Sequence, residues 1–592
     1  MQKHIKYFII ILLTGTSVLA KAQTKRDTLN REVEVTKAYT PTISDANKLN
    51  SMPEIEEEEA QKPTFNYNIK SQPVFSTFSV TPLKAATIET TPPNQNGYGL
   101  VRAGFGTYYK PYGEVFFNNL NSKNTVFGIH AMHLSSWGDV ELEGGDKVDA
   151  PFMNNLVELF VKHTIQQSIL SVDLNLNNDA FNYYGYPEKP VPAPLLEDQQ
   201  SINYFGTKQA FTKAGIHVDF DDPGADMDEE EFGFSLDYHY FGTKTNQTEN
   251  FANLTFNMRR PLLTSGVGLL DFGVEYAQAD KVILPGDSVP GKTSTTVLFG
   301  KPAWYIGSNK ANVTLGLNAW FILKTDEDTQ AKLAPNIRAN WAPVEDVLKI
   351  YAGVDGAFQH NYYSKIAYEN PFVNPEHNLE NSMQQIRLFG GFDGRMSKRT
   401  TYKISGEYAL NSNKPFYYLN ENYYFDPAYN PAPLVVDNTF AVLYDDMDRL
   451  KLNAEIMYAS SDRMNLSIGV NYYSYKLDKQ EEAWNLPTWD ATVSLGYKIS
   501  DQLSVSADLY LIGDRKALII EESGSLIPED FPTRKSYTLD TAFDLNLKGN
   551  YQLTNKFSVF AQLNNFGFQQ YERWFGYPVQ SFNLLAGISY AF

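Results

Sequence analysis

A chain of 592 residues with a net charge of −19 and no cysteine excludes several functions at once. Disulfides, thiolate metal sites, a cysteine nucleophile and lipidation on an N-terminal cysteine are ruled out, and so strongly acidic a chain lacks the clustered Lys and Arg that nucleic acid demands. Past the first twenty-odd residues no apolar run reaches the roughly 18 residues of a membrane-spanning helix. Yet 14% of the residues are aromatic, with 38 Tyr and 38 Phe, a load that suits strands with aromatic girdles at two membrane interfaces.

The first residues, MQKHIKYFIIILLTGTSVLAKAQ, combine Lys3 and Lys6, an apolar stretch from Tyr7 to Leu13 and a small-x-small site at Ala20-Lys21-Ala22. This predicts a secretory signal peptide over 1–22, too short in its apolar part to be an anchor, with Gln23 as the new terminus. Residues 23–96 form a separate N-terminal segment. In it, EIEEEEAQKP (54–63) is a solvated linker by its charge, and the aromatic stretch that follows is expected to fold into or across the mouth of whatever comes next.

From Gly97 onward the sequence breaks into segments of roughly ten to fifteen residues that alternate in polarity, a period of two and therefore strands. Leu450, Leu452, Ala454, Ile456 and Tyr458 alternate with Lys451, Asn453, Glu455 and Met457; Met464 to Tyr472, Trp489 to Ile499 and Leu503 to Leu511 repeat the pattern. The interleaved set is too polar for the inside of a soluble sandwich and suits a water-filled lumen. Short connections (122–124, 307–310, 343–346, 397–399, 460–463, 500–502, 554–556) separate longer ones (137–153, 181–205, 281–293, 362–382, 413–436, 477–485, 514–537). That alternation is the mark of an outer-membrane barrel with short periplasmic turns and long outer loops. The reading is an all-β fold: a large antiparallel transmembrane barrel of about 22 strands over 97–592, with a short periplasmic N-terminal segment. It requires residues 438–460 to be one long strand and the acidic turn from Asp221 to Glu231 to be periplasmic.

The chain ends on SFNLLAGISYAF, in which Leu584, Ala586, Ile588, Tyr590 and Phe592 share one face. Together with FAQLNNF (560–566), Tyr571, Gly576 to Pro578 and Gly587, this ending resembles the last two strands of TonB-dependent receptors from the outer membrane of Bacteroidota-type bacteria. The resemblance implies a Gram-negative outer-membrane location, a lipid-facing last strand and a terminal signal for the barrel assembly machinery on those five residues. It also implies solute transport coupled to TonB. The likeness breaks at the front, where about seventy residues leave no room for a full-length plug domain. Within them REVEVTKAY (31–39) resembles the segment by which such receptors pair with TonB, through Glu32, Val33, Glu34, Val35 and Thr36 adding a strand to a sheet edge; five residues of alternating valine and glutamate occur often by chance, and a structural strand or a disordered tether is the plainer reading of them.

No catalytic motif is present: GxSxG, HExxH and Walker loops are all missing, so no enzyme and no cofactor are expected. His130 and His133, three apart on a strand, fall on opposite faces and share no metal. The acidic run Asp226 to Glu231 lacks the spaced ligands of a calcium loop and reads as a solvated turn. The long loops concentrate Tyr, Asn and Pro: Tyr362 and Tyr363 in one, Tyr417, Tyr418, Tyr423 and Tyr424 in another. Such faces contact ligands or docked proteins, or else form the upper girdle and loop packing. Two functions follow: a porin-like or receptor-like transport barrel with TonB or another envelope protein as partner, or a scaffold subunit of an outer-membrane assembly or secretion complex. The missing plug favours the second, the TonB-like segment the first.

Overall fold

The structure is a computed structural model that describes residues 98–592. The exceptions are 120–121, 123, 143–144, 146, 186–201, 204–207, 223–228, 263–265, 281–290, 326, 375–378, 426–433, 438, 461–462 and 524–532 in the connections. The expected signal peptide, the N-terminal segment and its Glu32 to Thr36 stretch lie outside the described residues. No helix among those described is long and apolar enough to cross a membrane.

Twenty-two strands make the wall. The first seven are β1 (Gly99–Gly106), β2 (Lys110–Asn118), β3 (Thr125–Ser136), β4 (Phe152–Ile165), β5 (Ser168–Asn182), β6 (Lys208–Asp221) and β7 (Glu231–Thr243). Then come β8 (Thr248–Leu262), β9 (Gly266–Asp280), β10 (Lys292–Gly307), β11 (Ala311–Lys324), β12 (Gln330–Val344), β13 (Leu348–Gln359), β14 (Ser382–Ser397) and β15 (Thr400–Phe425). The last seven are β16 (Phe440–Ser460), β17 (Met464–Leu477), β18 (Trp489–Lys498), β19 (Leu503–Ile512), β20 (Ala542–Gln552), β21 (Phe557–Asn564) and β22 (Asn583–Ala591). Each pairs antiparallel with the next, and β22 pairs antiparallel with β1 from Leu100↔Ala591 to Gly106↔Leu585. The sheet is closed and its wall has no edge, the condition for strands in hydrocarbon.

The period-two pattern sorts the two faces as the sequence requires. In β16, Leu452 and Ile456 are exposed on the outside while Lys451, Asn453 and Glu455 line the lumen. Outward cross-strand pairs are apolar around the wall, as in Leu254↔Val274, Leu315↔Ile337, Val493↔Leu509 and Ile588↔Ala103. Exposed outward aromatics cluster at two heights: Phe232, Trp304, Trp341, Tyr497 and Tyr590 near the short-turn end, and Tyr240, Phe321, Tyr408, Tyr472 and Trp489 toward the other. Trp489 and Tyr497 bracket β18, whose span matches the roughly 9–11 residues of a tilted membrane strand. On the last strand Ile588, Tyr590 and Phe592 are exposed outward, while Leu585 and Ser589 are buried inward.

The expected alternation of connections holds with one modification. The acidic turn lies at the short-turn end, and β16 is a single strand of 21 residues. At the long-loop end, however, 107–109, 244–247 and 325–329 are as short as turns, with left-handed backbone at Tyr108, Tyr109 and Asn246. The stretch 413–425 is not a loop: β15 continues through it as a 26-residue strand rising beyond the wall.

The closing seam is packed from inside. Gly587 stands in register with Gly104, and the Phe560 ring lies over both; a Cβ at 587 would fall 2.5 Å from that ring and 2.2 Å from the Ala103 carbonyl oxygen. The Arg102 guanidinium sits 4.3 Å from the centre of the same ring and donates to Glu114 at 3.1 Å. His130 bridges Glu114 and Glu158, at 3.1 and 2.9 Å. One charged network therefore joins β1 to β4 beside the seam. His133 points the other way and meets Asn155, so the two histidines do not share a ligand.

Two outcomes are expected. Leu452→Arg should destabilise the lipid-inserted barrel by about 2–4 kcal/mol near the bilayer midplane, whereas Asn453→Arg, facing the lumen, should change denaturant midpoints in liposomes little. Gly587→Leu should weaken the seam by about 1–3 kcal/mol through overpacking, read as loss of the heat-modifiable folded band on gels.

Candidate functional site

Functional chemistry in a barrel resides in its loops and lumen, and here the two meet. At the long-loop end the connections turn inward and pack on one another. Phe181, Phe211 and Phe241, from the tops of β5, β6 and β7, contact one another with ring centres 5.1 and 5.3 Å apart. Phe372, from the β13–β14 connection, meets Phe181 at 5.8 Å and stacks on Tyr577 of the β21–β22 connection at 3.7 Å. Trp574, three residues before Tyr577, packs on Tyr417 of β15 and Phe440 of β16 at 5.1 and 5.6 Å. Strands β5 to β7 and β15 to β16 are on nearly opposite sides of a 22-strand wall, so this chain of rings spans the mouth. Aromatic pairs of this kind add roughly 0.5–1.5 kcal/mol each beyond their buried area. Gly185 permits one of them: a Cβ there would lie 2.4 Å from the Tyr577 ring.

Two further pieces fill the mouth. A short helix, α1 (Tyr363–Glu369), buries Tyr363, Ile366 and Ala367 in the cluster. Its first turn is held by the buried Glu249 of β8, which accepts the Ser364 hydroxyl at 2.6 Å and lies beside the Ser364 N–H; a carboxylate there also suits the helix dipole. The second piece is a hairpin, Arg515–Ser523 with Thr533–Leu539, in the β19–β20 connection. It crosses over to pair in parallel with the upper part of β15, from Tyr418↔Leu518 to Tyr423↔Ser523. Ala517 and Ile519 enter the main cluster, and Leu518 and Ile520 enter a second one with Phe416, Met447 and Trp484. Both faces are covered, which is why the sequence there, ALII, is apolar without alternation.

Beneath the cap a cavity of about 410 Å³ runs along the lumenal side of β12 to β19. In a protein of net charge −19 its lining is cationic: eight Lys and Arg side chains against four carboxylates. Some of the charge is neutralised. Arg387 forks onto Asp355 at 2.8 and 2.6 Å and reaches Glu407, which also takes Arg449. Asparagines continue the lining, Asn453 donating to Asn471 and Asn471 to Asp490 at 3.0 and 2.8 Å. Arg338 lies 5.4 Å from the Phe389 ring centre. In the roof, Arg515 donates to the carbonyls of Arg573 and Glu572 at 2.7 and 2.6 Å, and burial pushes its pKa down to about 10.

The tyrosines singled out by sequence occupy different places. Tyr363 and Tyr417 are buried members of the cap, and Tyr418 packs on the second cluster. Tyr362 is half-buried against Phe251. Tyr423 and Tyr424 pair with Val436 and Val435 at the top of β15, and their side chains lie outside the described residues. Sequence reasoning missed the cavity as a unit, although its alternation already assigned Lys451, Asn453 and Glu455 to the lumen. It also missed Arg515 and Trp574, whose position depends on where loops travel. No group of His, Asp or Glu that could hold a metal is present among the described residues.

No protein-family model matches the chain, and no curated protein does. Solved structures do. The pyoverdine outer-membrane receptor FpvA of Pseudomonas aeruginosa PAO1, bound to pyoverdine, superimposes with a TM-score of 0.57 at 12% identity, over 85% of this chain and 79% of that one. The siderophore receptor PirA of Acinetobacter baumannii gives 0.57 at 11% identity, over 85% and 81%. The ferric-catecholate import receptor Fiu of E. coli K12 gives 0.56 at 11%, over 84% and 82%. At these identities the likeness is one of fold, and the fold is that of outer-membrane receptor barrels.

Proposed function

We propose that this protein is an outer-membrane transport barrel of the TonB-dependent receptor type, closed at rest by its own loops. The observation that carries the reading is the pairing of a 22-strand wall, wide enough for solute passage or a plugged lumen, with a ring cluster that spans one mouth. Neighbours described as a pyoverdine receptor, a siderophore receptor and a ferric-catecholate import receptor support transport rather than catalysis. In this reading the short turns and residues 23–96 face the periplasm, and the long loops face outward. The 23–96 segment replaces a full plug, and Glu32 to Thr36 offer the strand that TonB pairs with. Leu584, Ala586, Ile588, Tyr590 and Phe592 serve the barrel assembly machinery as an insertion signal and then face outer-membrane lipid. Tyr362 in the β13–β14 connection, and Tyr423 and Tyr424 at the top of β15, are the candidates for contact with an incoming ligand, while Tyr363, Tyr417 and Tyr418 hold the cap.

A scaffold role in an assembly or secretion complex is the second reading. It is favoured by one observation: the cap is packed as a continuous apolar core, which suits a fixed docking surface as well as a gate.

Conductance in planar bilayers separates the two. The intact protein should pass little current, and a chain lacking 23–96 and carrying Trp574→Ala with Tyr577→Ala should pass several-fold more. A large standing current in the intact protein would overturn the closed state, and silence in both would leave the scaffold. Deleting Arg31 to Tyr39 should abolish energised uptake in cells while leaving the folded barrel in the membrane; undiminished uptake would remove TonB coupling.

A further inference from the structure

One lipid-facing residue breaks the rule that the rest of the wall obeys. Outward pairs between β2 and β3 run Phe117↔Ile129 and Val115↔Ala131, and the next pair on that face is Gly113↔His133. Tyr497 and Trp489 bracket the apolar belt on β18; the same span counted up β3 from Phe127 ends at Ser135, so His133 lies inside the belt. At that depth the outward positions of the other strands are apolar or aromatic, as in Phe105, Leu176, Tyr238, Leu452 and Leu584, and His133 is the exception among the described residues. A polar side chain turned toward hydrocarbon is costly and marks a functional site.

Its hydrogen bonds define what remains open. Asn155 Oδ1 lies 2.7 Å from His133 Nδ1, and an amide oxygen only accepts, so Nδ1 carries the proton and Nε2 accepts the Ser135 hydroxyl at 3.1 Å. The register carries the row on to Asn178, whose Nδ2 donates to Thr212 Oγ1 at 2.9 Å. Asn155 Nδ2 and Asn178 Oδ1 have no partner among the described residues, and both side chains are half-buried on the outer face near the upper ends of β4 and β5. Beside them Gly113 leaves a notch, since no atom of a non-adjacent residue lies within 4 Å of where its Cβ would stand. From Ala103 through Gly113, His133, Asn155 and Asn178 to Thr212 the row holds no Lys or Arg, so it is not built to attract phosphate.

We propose that this row binds an outer-leaflet lipid through a 3-hydroxyacyl chain. What covers an outward face at this depth is lipid, and the two open groups ask for one acceptor and one donor where an acyl chain begins. The chain's carbonyl accepts from Asn155 Nδ2, its 3-hydroxyl donates to Asn178 Oδ1, and the hydrocarbon beyond lies in the notch at Gly113 against Ala103 and Ala131. An ordinary acyl chain brings the carbonyl but leaves the Asn178 acceptor unpaired, so the row selects the hydroxylated chain. His133 is a positioning residue: by holding Asn155 Oδ1 it aims Nδ2 at the lipid. The inference rests on the outer-membrane reading of the wall and not on transport.

The test is native mass spectrometry of the full-length protein released from phosphatidylethanolamine nanodiscs that contain either a tetraacylated lipid A with free 3-hydroxyl groups or a synthetic analogue with unhydroxylated chains. The hydroxylated lipid should stay bound at several-fold the occupancy of the analogue. Asn155→Leu and His133→Phe should each erase that difference, and His133→Gln, which can still donate to Asn155, should keep part of it. Both apolar variants match the rest of the belt, and a heat-modifiable folded band equal to the parent's shows that the barrel is inserted, which separates loss of the site from failure of the membrane reading. Equal occupancy of the two lipids, or an undiminished difference in Asn155→Leu and His133→Phe, overturns the inference. So does a dimer of the protein that His133→Phe dissolves, because the face then belongs to a second copy of the chain.

Discussion

The pairing of β1 with β22 is the constraint on which the rest of the molecule depends. In hydrocarbon an unpaired N–H or C=O has no water to turn to, so a sheet of any number of strands is tolerable there only when its ends meet. Here they meet over seven residue pairs, from Leu100↔Ala591 to Gly106↔Leu585. The inner side of that junction is reinforced where the sheet's own hydrogen bonds cannot help. Two facing glycines admit the Phe560 ring, the ring carries Arg102, and Arg102 begins the charged network through Glu114 and His130 to Glu158.

Once the wall is closed, its two faces are free to follow separate rules. The outside needs only to be apolar at mid-height and aromatic at the borders. The inside is polar, and its charges are mostly disposed as cross-strand partners: Arg387 between Asp355 and Glu407, Arg449 on Glu407, asparagine to asparagine along β16 and β17. Above the wall a third rule applies. The loops bury an aromatic core that belongs to no single strand, held by residues from β5 to β7 on one side and from β15 and β16 on the other. That core stiffens the mouth and gives the lumen a roof, and the chemistry of the cavity comes from this meeting of roof and wall.

The wall was legible in the sequence because its physics is local. A period of two in Leu450 to Tyr458 or Trp489 to Ile499 states strand, face and environment together, and short turns such as SSDR and TNK mark the register. The 413–433 stretch misled for a physical reason. Tyr, Asn and Pro read as loop, but β15 gains partners above the wall, first β16 from Lys414 to Leu419 and then the hairpin strand from Leu518 to Ser523. Such pairing is decided by a segment a hundred residues downstream and leaves no trace at Tyr417 or Tyr423. The ALII run carried the one available hint, since a strand without alternation must be covered twice. Trp574 and Arg515 carried none: their role depends on which loops cross the mouth, and that is a property of the assembled ring.

The seam also fixes an order of events. Val101 and Tyr590, partners in the finished wall, belong to its first and last strands, so a wall that lacks either strand cannot be a smaller version of this barrel. Until β22 is in place, the chain is a sheet with two sticky margins, the kind that recruits foreign strands. A chain that loses only that strand forfeits the entire structure rather than one twenty-second of it.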